Sequence, residues 1–336
     1  MVIGGNYIHK AYYGLTELTP TTAFLGEEPL IEDLEPDIWY PFSSDLANHG
    51  KLDLSAYETG GNAVINTLTL DSTNHFAATQ NKTTIIETSA STHPIYASQR
   101  TIESVTYPAN ELTVTLWVRL TRDRLTSWYG SGKYFSDTDV RGYLSNNVFY
   151  SDSGLTTIIP ADREISYYNL LENSRGYYWN GTDYIACDSE DQYGEDFEYY
   201  YGIIGGNRHY YTKFGFVGNC RATNRSFNKF RWGFQARNNG EWTAQWHTLK
   251  LDTWMHIAFI FNPTNNNYLK ILKDGVKVYT GNISSSAINH DCWRLQSEGR
   301  LGGNYYSIHL PFDYKDVRIY GRNISEEGVK YLKNLL

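Results

Sequence analysis

Two kinds of side chain in this sequence could do chemistry, carboxylates gathered in a run and aromatics gathered beside turn residues. The run Asp188-Ser-Glu-Asp-Gln-Tyr-Gly-Glu-Asp-Phe-Glu198 offers Asp188, Glu190, Asp191, Glu195 and Asp196 within a few residues. Calcium takes several oxygen ligands at close range, so these five are candidate ligands for a Ca²⁺ ion. The alternative is a solvated acidic loop, because the spacing matches no defined ligand loop; Asp137-Thr-Asp139 with Gly142 is a second, weaker acidic turn of the same kind.

The aromatic groups are Trp128-Tyr129-Gly130, Tyr177-Tyr178-Trp179-Asn180, Tyr199-Tyr200-Tyr201, Tyr210-Tyr211 and Gly303-Asn304-Tyr305-Tyr306. A sugar is recognised by an aromatic face laid on the apolar side of its ring, with polar groups nearby to bond the hydroxyls. Trp128, Tyr129, Tyr178, Trp179, Tyr200, Tyr210, Tyr305 and Tyr306 are therefore candidate carbohydrate contacts. The competing reading is that these rings pack within the fold or fill a subunit interface, where Tyr and Trp are also enriched.

Other chemistry has less support. The nine histidines show no His-x-x-x-His spacing, and Cys187, Cys220 and Cys292 form no Cys-x-x-Cys pair. Neither a zinc site nor a disulfide framework can be built from them, and buried thiols in a reducing compartment are the expectation. His256 and Trp254 read as structural residues of a core strand, and Asp316 with Arg318 as a structural hydrogen-bonded pair or as edge charges.

Composition narrows the classes further. The chain has 336 residues and a formal net charge of -8, with 29 Tyr, 14 Phe and 9 Trp against 3 Cys and 2 Met. An acidic balance with mixed charges argues against binding nucleic acid, which needs clustered Lys and Arg. No apolar run reaches the ~18 to 20 residues of a membrane-spanning helix, and the start MVIGGNYIHK lacks the basic and apolar regions of a secretion signal. Tyrosine excess itself points to β-structure.

The elements that must position these groups are strands. Glu111–Leu120 alternates, with Leu112, Val114, Leu116, Val118 and Leu120 on one face and Thr113, Thr115, Trp117 and Arg119 on the other. Trp254–Phe261 is apolar on both faces, Tyr268–Tyr279 is a hairpin turning at Asp274-Gly275, and Phe312–Tyr320 is a further strand. Ser325–Leu336 reads as the one helix, with Ser325 as cap, Glu326 and Glu327 in the first turn and Val329, Leu332, Leu335 and Leu336 as its apolar stripe. Residues 1–36 stand apart as a small docking segment: Tyr13-Gly14-Leu15-Thr16-Glu17-Leu18 and Leu25-Gly26-Glu27-Glu28-Pro29-Leu30 each read as a short turn between apolar residues. A flexible leader, or a strand added to the main domain, is the alternative there. Many strands with Gly and Asn turns imply an all-β, antiparallel sandwich.

Five phrases then carry a resemblance. Asp37-Ile-Trp-Tyr-Pro-Phe-Ser-Ser-Asp45 with Asn48-His-Gly50, Leu112-Thr-Val-Thr-Leu-Trp-Val-Arg119, Asp252-Thr-Trp-Met-His-Ile-Ala258, Tyr268–Asn282, and Arg300-Leu-Gly-Gly303 followed by Phe312–Glu327 resemble, in order, the strands of a concanavalin A-like (laminin-G-like) jelly roll. The resemblance implies a jelly-roll β-sandwich over 37–336, covering about 37–120 and 215–336 and interrupted by a Tyr-rich, hairpin-rich insertion at about 121–214. Glucanases that share the jelly roll carry paired carboxylates on one strand in a Glu-x-Asp-x-x-Glu pattern, and no such strand occurs here, so a non-enzymatic role is expected. Carboxylates brought together from separate strands would keep a glycan-cleaving enzyme open.

Within the insertion, Val148-Phe-Tyr-Ser-Asp-Ser-Gly-Leu155 and Gly176-Tyr-Tyr-Trp-Asn-Gly-Thr-Asp-Tyr-Ile185, like Lys10-Ala-Tyr-Tyr-Gly-Leu-Thr-Glu17, resemble short modules of bacteriophage tail, baseplate and fibre proteins. That resemblance implies a virion component, a fibre, tail or decoration subunit made in the host cytoplasm. It would dock on other virion proteins through residues 1–36, assemble as a homo-oligomer, and display a glycan-binding face to the host surface, with no cofactor apart from the candidate calcium. A purely structural connector is the third reading.

Overall fold

The computed structural model describes residues 2–3, 6–7, 12–13, 16–17, 34–51, 68–79, 84–88, 100–102, 105–107, 111–130, 134–135, 140–159, 166–169, 175–179, 182–186, 198–206, 214–222, 226–238, 241–242, 245–262, 265, 268–283, 292–296 and 306–335. Two large, mainly antiparallel sheets face each other. The first has eight strands in the order Val276–Asn282, Tyr268–Lys273, Met255–Asn262, Leu112–Arg119, Asp313–Tyr320, Phe76–Thr79 and Leu68–Asp71, with Ile38–Tyr40 also paired to Asp313–Tyr320. The second runs Tyr134–Phe135, Ser226–Asn238, Phe214–Ala222, Glu198–Gly206, Cys292–Leu295 and Thr84–Thr88, with three two-residue strands added along it. The fold is an all-β jelly-roll-type sandwich.

Period-two alternation explains how the first sheet builds its inner layer. Leu112, Val114, Leu116 and Val118 are buried in the main core together with Ile257, Phe259 and Phe261 of the adjacent strand. Opposite them the second sheet contributes Phe214, Phe216, Phe234 and Trp293, and Phe259 meets all four with ring centroids 5.7, 5.4, 4.9 and 6.3 Å away. The first three contacts are edge-to-face, the arrangement that the ring quadrupole favours. The Tyr314 hydroxyl also crosses the layer, donating to the Ile203 carbonyl at 2.7 Å.

The outer face of the same sheet is covered in part. Ala258, Ile260, Leu272 and Tyr320 form a second apolar cluster with Ile324, Val329 and Leu332, which places the Glu326–Asn334 helix over one end of the sheet. Ser325 accepts the Gly328 N–H at 2.9 Å as the expected cap. This cover accounts for a difference from the simple alternation pattern: Thr113 and Thr115, on the polar side of their strand, are both fully buried. Thr113 Oγ1 donates to the Arg322 carbonyl at 3.0 Å and accepts the Ile324 N–H at 3.1 Å, so the hydroxyl is satisfied by the chain that covers it.

Two further differences concern the segment expected as an insertion. Arg122–Tyr129 is a second helix, capped by Thr121 through the Arg124 N–H and anchored by buried Leu125. The strand Glu198–Gly206 pairs with Phe214–Ala222 inside the main second sheet, whereas residues 140–186 supply a separate six-stranded sheet. In that sheet Arg175–Trp179 and Tyr184–Ala186 form the hairpin expected around Asn180-Gly181, with Trp179 opposite Tyr184. Near the start, Tyr12–Tyr13 pairs with Thr16–Glu17 as the first expected turn; the second, Leu25 to Leu30, lies outside the described residues.

Two substitutions test the two layers. Tyr314→Phe removes the inter-sheet hydrogen bond but leaves the Ile203 carbonyl its second donor, the Gln296 N–H at 3.1 Å, so about 1 kcal/mol of unfolding free energy should be lost. Leu332→Ala hollows the contact beneath the helix and should cost about 2 to 4 kcal/mol. Chemical denaturation of each variant measures both.

Candidate functional site

Beyond the helix, the outer face of the first sheet carries a row of rings and cations. Trp117 and Arg119 are the last two outward residues of the Leu112–Arg119 strand, and His256 is the direct cross-strand partner of Trp117. On the other side, Lys315 stands opposite Trp117 and Asp313 opposite Arg119. The register of this pair shifts between Thr115 and Trp117, and Asp316 takes a positive φ of 50°, the signature of a bulge. That bulge lets Tyr314 and Val317 both point to the core while Lys315 and Asp316 stay on the outer side.

Ring-to-cation distances define the row. The Arg119 guanidinium lies 5.1 Å from the Phe76 ring and 4.6 Å from Trp254. The Lys315 ammonium lies 5.0 Å from Trp254 and 5.1 Å from Trp117. Trp117 and His256 follow at 5.2 Å between centroids, tilted by 59°. Phe76, Arg119, Trp254, Lys315 and Trp117 are each partly exposed, and only His256 at the inner end is fully buried. Such cation–ring contacts contribute on the order of 0.5 to 1 kcal/mol each at exposed sites.

Electrostatically the row is cationic, and its two carboxylates are each engaged through one oxygen, the other being buried without a hydrogen-bond partner among the described residues. Asp313 accepts from Arg119 Nε at 3.1 Å and Nη2 at 2.9 Å, and Arg124 Nε lies 3.8 Å away. Burial raises the Asp313 carboxyl above the ordinary range, with Arg119 opposing. Asp316 accepts from Arg318 Nε at 2.8 Å and Trp39 Nε1 at 2.7 Å, which is the structural pair expected from the sequence. Lys315, by contrast, forms no ion pair among the described residues; burial pulls its ammonium below the ordinary lysine range, with Asp316 partly opposing. His256 differs from a satisfied core histidine, since neither ring nitrogen has a hydrogen-bond partner among the described residues. Burial, reinforced by Arg318 and Lys333, pushes its pKa down to about 3.

The residues singled out from the sequence lie elsewhere. Trp128 and Tyr129 stand on the Arg122–Tyr129 helix rather than in a turn. Tyr129 packs 4.6 Å from Phe227 and donates to the His309 carbonyl at 2.7 Å, and burial holds its phenol in the neutral form. Tyr200 is only 4 % exposed and sits 6.3 Å from the Trp246 ring, so it forms part of the wall of the sandwich. Tyr306 lies on a short parallel strand opposite Tyr199, and Tyr199 acts electrostatically on Tyr129, so three of the five clusters meet at one end of the second sheet. Tyr178 and Trp179 are placed by their backbone in the third sheet, Tyr178 opposite Ser166 and Ile185. Tyr210, Tyr305 and the calcium candidates Asp188, Glu190, Asp191, Glu195 and Asp196 lie outside the described residues. Among the described residues no three His, Cys, Asp or Glu side chains gather to hold a metal, and no helix is long and apolar enough to cross a membrane.

Sequence reasoning passed over the row because its members come from four separate stretches of chain. The one local signal was the outward side of Leu112–Leu120, which ends in Trp117 and Arg119 instead of small polar residues.

No protein-family profile and no characterised protein matches the sequence. Solved structures are similar in fold at low identity. The botulinum neurotoxin serotype D binding domain aligns with 90 % of this chain and 51 % of its own, at 10 % identity and a TM-score of 0.42. A botulinum neurotoxin type C structure aligns with 67 % of this chain and 36 % of its own, at 10 % identity and 0.33. The heptameric SAP-like pentraxin of Limulus polyphemus aligns with 66 % and 68 %, at 10 % and 0.31. The chain thus spans about a third to a half of the toxin chains, and its function has to be argued from its own residues.

Neutral, buried His256 makes stability depend on pH. Its folded value of about 3 lies below the ordinary 6.5, so between the two the unfolded chain holds the extra proton. This contribution is complete above about pH 6.5 and is lost as pH falls, by roughly 2 kcal/mol at pH 5. His256→Leu should flatten the difference in unfolding free energy between pH 7 and pH 5, measured by urea titration.

Proposed function

We propose that this chain is a non-enzymatic, glycan-binding virion subunit of a bacteriophage, a fibre, tail or decoration component, whose sandwich presents its outer face to host surface glycan. The observation that supports binding is the partly exposed row of Phe76, Trp254 and Trp117 interleaved with Arg119 and Lys315. Apolar ring surface beside fixed donors suits a saccharide, which offers one apolar face and many hydroxyl acceptors. A single row of this kind offers few contacts, so useful strength would come from several copies acting together on an oligomer.

The same face favours binding over cleavage. A glycosidase needs one free carboxylate as base or nucleophile and one protonated as acid across the bond. Asp313 is held by Arg119 and Asp316 by Arg318 and Trp39 through one oxygen each, and the other oxygen of both is buried away from the open row, so neither carboxylate is presented to a bond lying on it. Residues 1–36 are assigned to attachment on other virion proteins; the paired strands described there are two residues each, too short to stand without a partner surface.

The full chain on a glycan array tests this reading. Binding without product release is expected, and Trp254→Ala should weaken it on the order of tenfold. Release of cleaved product would establish the enzyme instead. An array on which nothing binds, together with loss of the oligomer on Tyr→Ala substitution, would establish a connector.

A further inference from the structure

We propose that the outer-face row is selective for acidic saccharides, with Lys315 as the point that takes the ligand's carboxylate or sulfate; this rests on the glycan-binding reading above.

The inference comes from following each charge on this face to its partner. Arg119 is committed to Asp313 by two hydrogen bonds, and Arg124 approaches the same carboxylate. Arg318 is committed to Asp316 and stacks 4.8 Å from the Trp39 ring. Lys315 alone in the row has an ammonium with neither an ion pair nor a hydrogen bond among the described residues. Its contacts are the two indoles on either side, at 5.1 and 5.0 Å. Asp316 is its sequence neighbour, but both short contacts of that carboxylate go to Arg318 and Trp39.

Physical chemistry makes this an unusual place for a lysine. Rings attract a cation only weakly, and here the ammonium is partly desolvated, a penalty that Asp316 offsets only in part, and is also repelled by Arg119, which sits on the same Trp254 ring. An arriving anion relieves the burial penalty further than Asp316 does, because it can hydrogen-bond the ammonium directly in a half-dry setting where a charge-assisted hydrogen bond is worth more than in water. The flanking indoles then do what they would for any sugar and cover the apolar side of the ring. A neutral saccharide would gain that stacking but would leave Lys315 uncompensated. Hence the discrimination resides in Lys315 and the general affinity in Trp254 and Trp117.

The experiment compares a sialylated and a sulfated oligosaccharide with their neutral counterpart, using the full-length chain and isothermal titration at low and moderate salt. The acidic forms should bind at least severalfold more tightly, and the preference should shrink as salt rises. Lys315→Gln should abolish the preference, bringing the acidic forms down to the affinity of the neutral one for the same variant, and Lys315→Arg should restore it. Lys315 is a partly exposed side chain with no hydrogen bond among the described residues, and an unchanged thermal unfolding profile would show that the variant is folded. Whichever acidic ligand keeps its advantage identifies carboxylate or sulfate as the anion read. Equal binding of acidic and neutral sugars, or a preference that survives Lys315→Gln, would overturn the inference and leave glycan binding standing. Failure of every saccharide to bind would overturn both.

Discussion

Phe259 is the contact on which the rest of the molecule depends. It belongs to the first sheet, yet its ring is surrounded by Phe214, Phe216, Phe234 and Trp293 of the second. A sheet hydrophobic on one face is unstable until that face is buried, and this aromatic cluster closes the two layers. Close approach elsewhere in the layer has its own requirement. A Cβ at position 218 would run into the ring of Tyr201 and the Arg231 carbonyl, so only glycine lets Tyr201 lie flat against the neighbouring strand and donate to Arg231 O at 2.7 Å.

With the inner face committed to the core, the outer face of the first sheet divides into two regions. One end is sealed by the C-terminal turn and helix through Ile324, Val329 and Leu332, and is tied down by Thr113 and by Asp37, which accepts the Gly321 N–H at 2.6 Å. The other end keeps Trp117, Trp254, Lys315, Arg119 and Phe76 partly open. The bulge at Lys315-Asp316 links the regions: without its extra residue, Lys315 could not face outward while both Tyr314 and Val317 face inward. His256 lies at the boundary, dry and uncharged between the sealed and the open part.

Much of the fold was legible in the sequence because strand alternation, turn chemistry and capping are local. The strand at Leu112, the hairpin turning at Asp274-Gly275, the closing strand before Gly321 and the helix capped by Ser325 all emerge from neighbouring residues. The helix at Arg122–Tyr129 was hidden in a segment read as insertion, although Thr121, Asp123 and Leu125 carry a cap, a favourable first-turn charge and an anchor. The strand Glu198–Gly206 was likewise assigned to the insertion, because a run of tyrosines and glycines does not announce which sheet it joins. Tyrosine density drew attention to Tyr129 and Tyr200, and both prove to be engaged with the sandwich itself.

What the sequence determined by itself is the kind of element and its buried side: β-strands, their apolar faces, a capped terminal helix, and an acidic, Tyr-rich composition. Tertiary structure alone decided which outward residues become neighbours. Phe76, Trp117, Trp254 and Lys315 are far apart along the chain, and they form one row only because strand order and a single bulge set their registers. Register shifted by one residue would send each of these side chains to the opposite face, and that choice is made by the burial of Phe259 and its partners in the core together with the bulge at Lys315-Asp316.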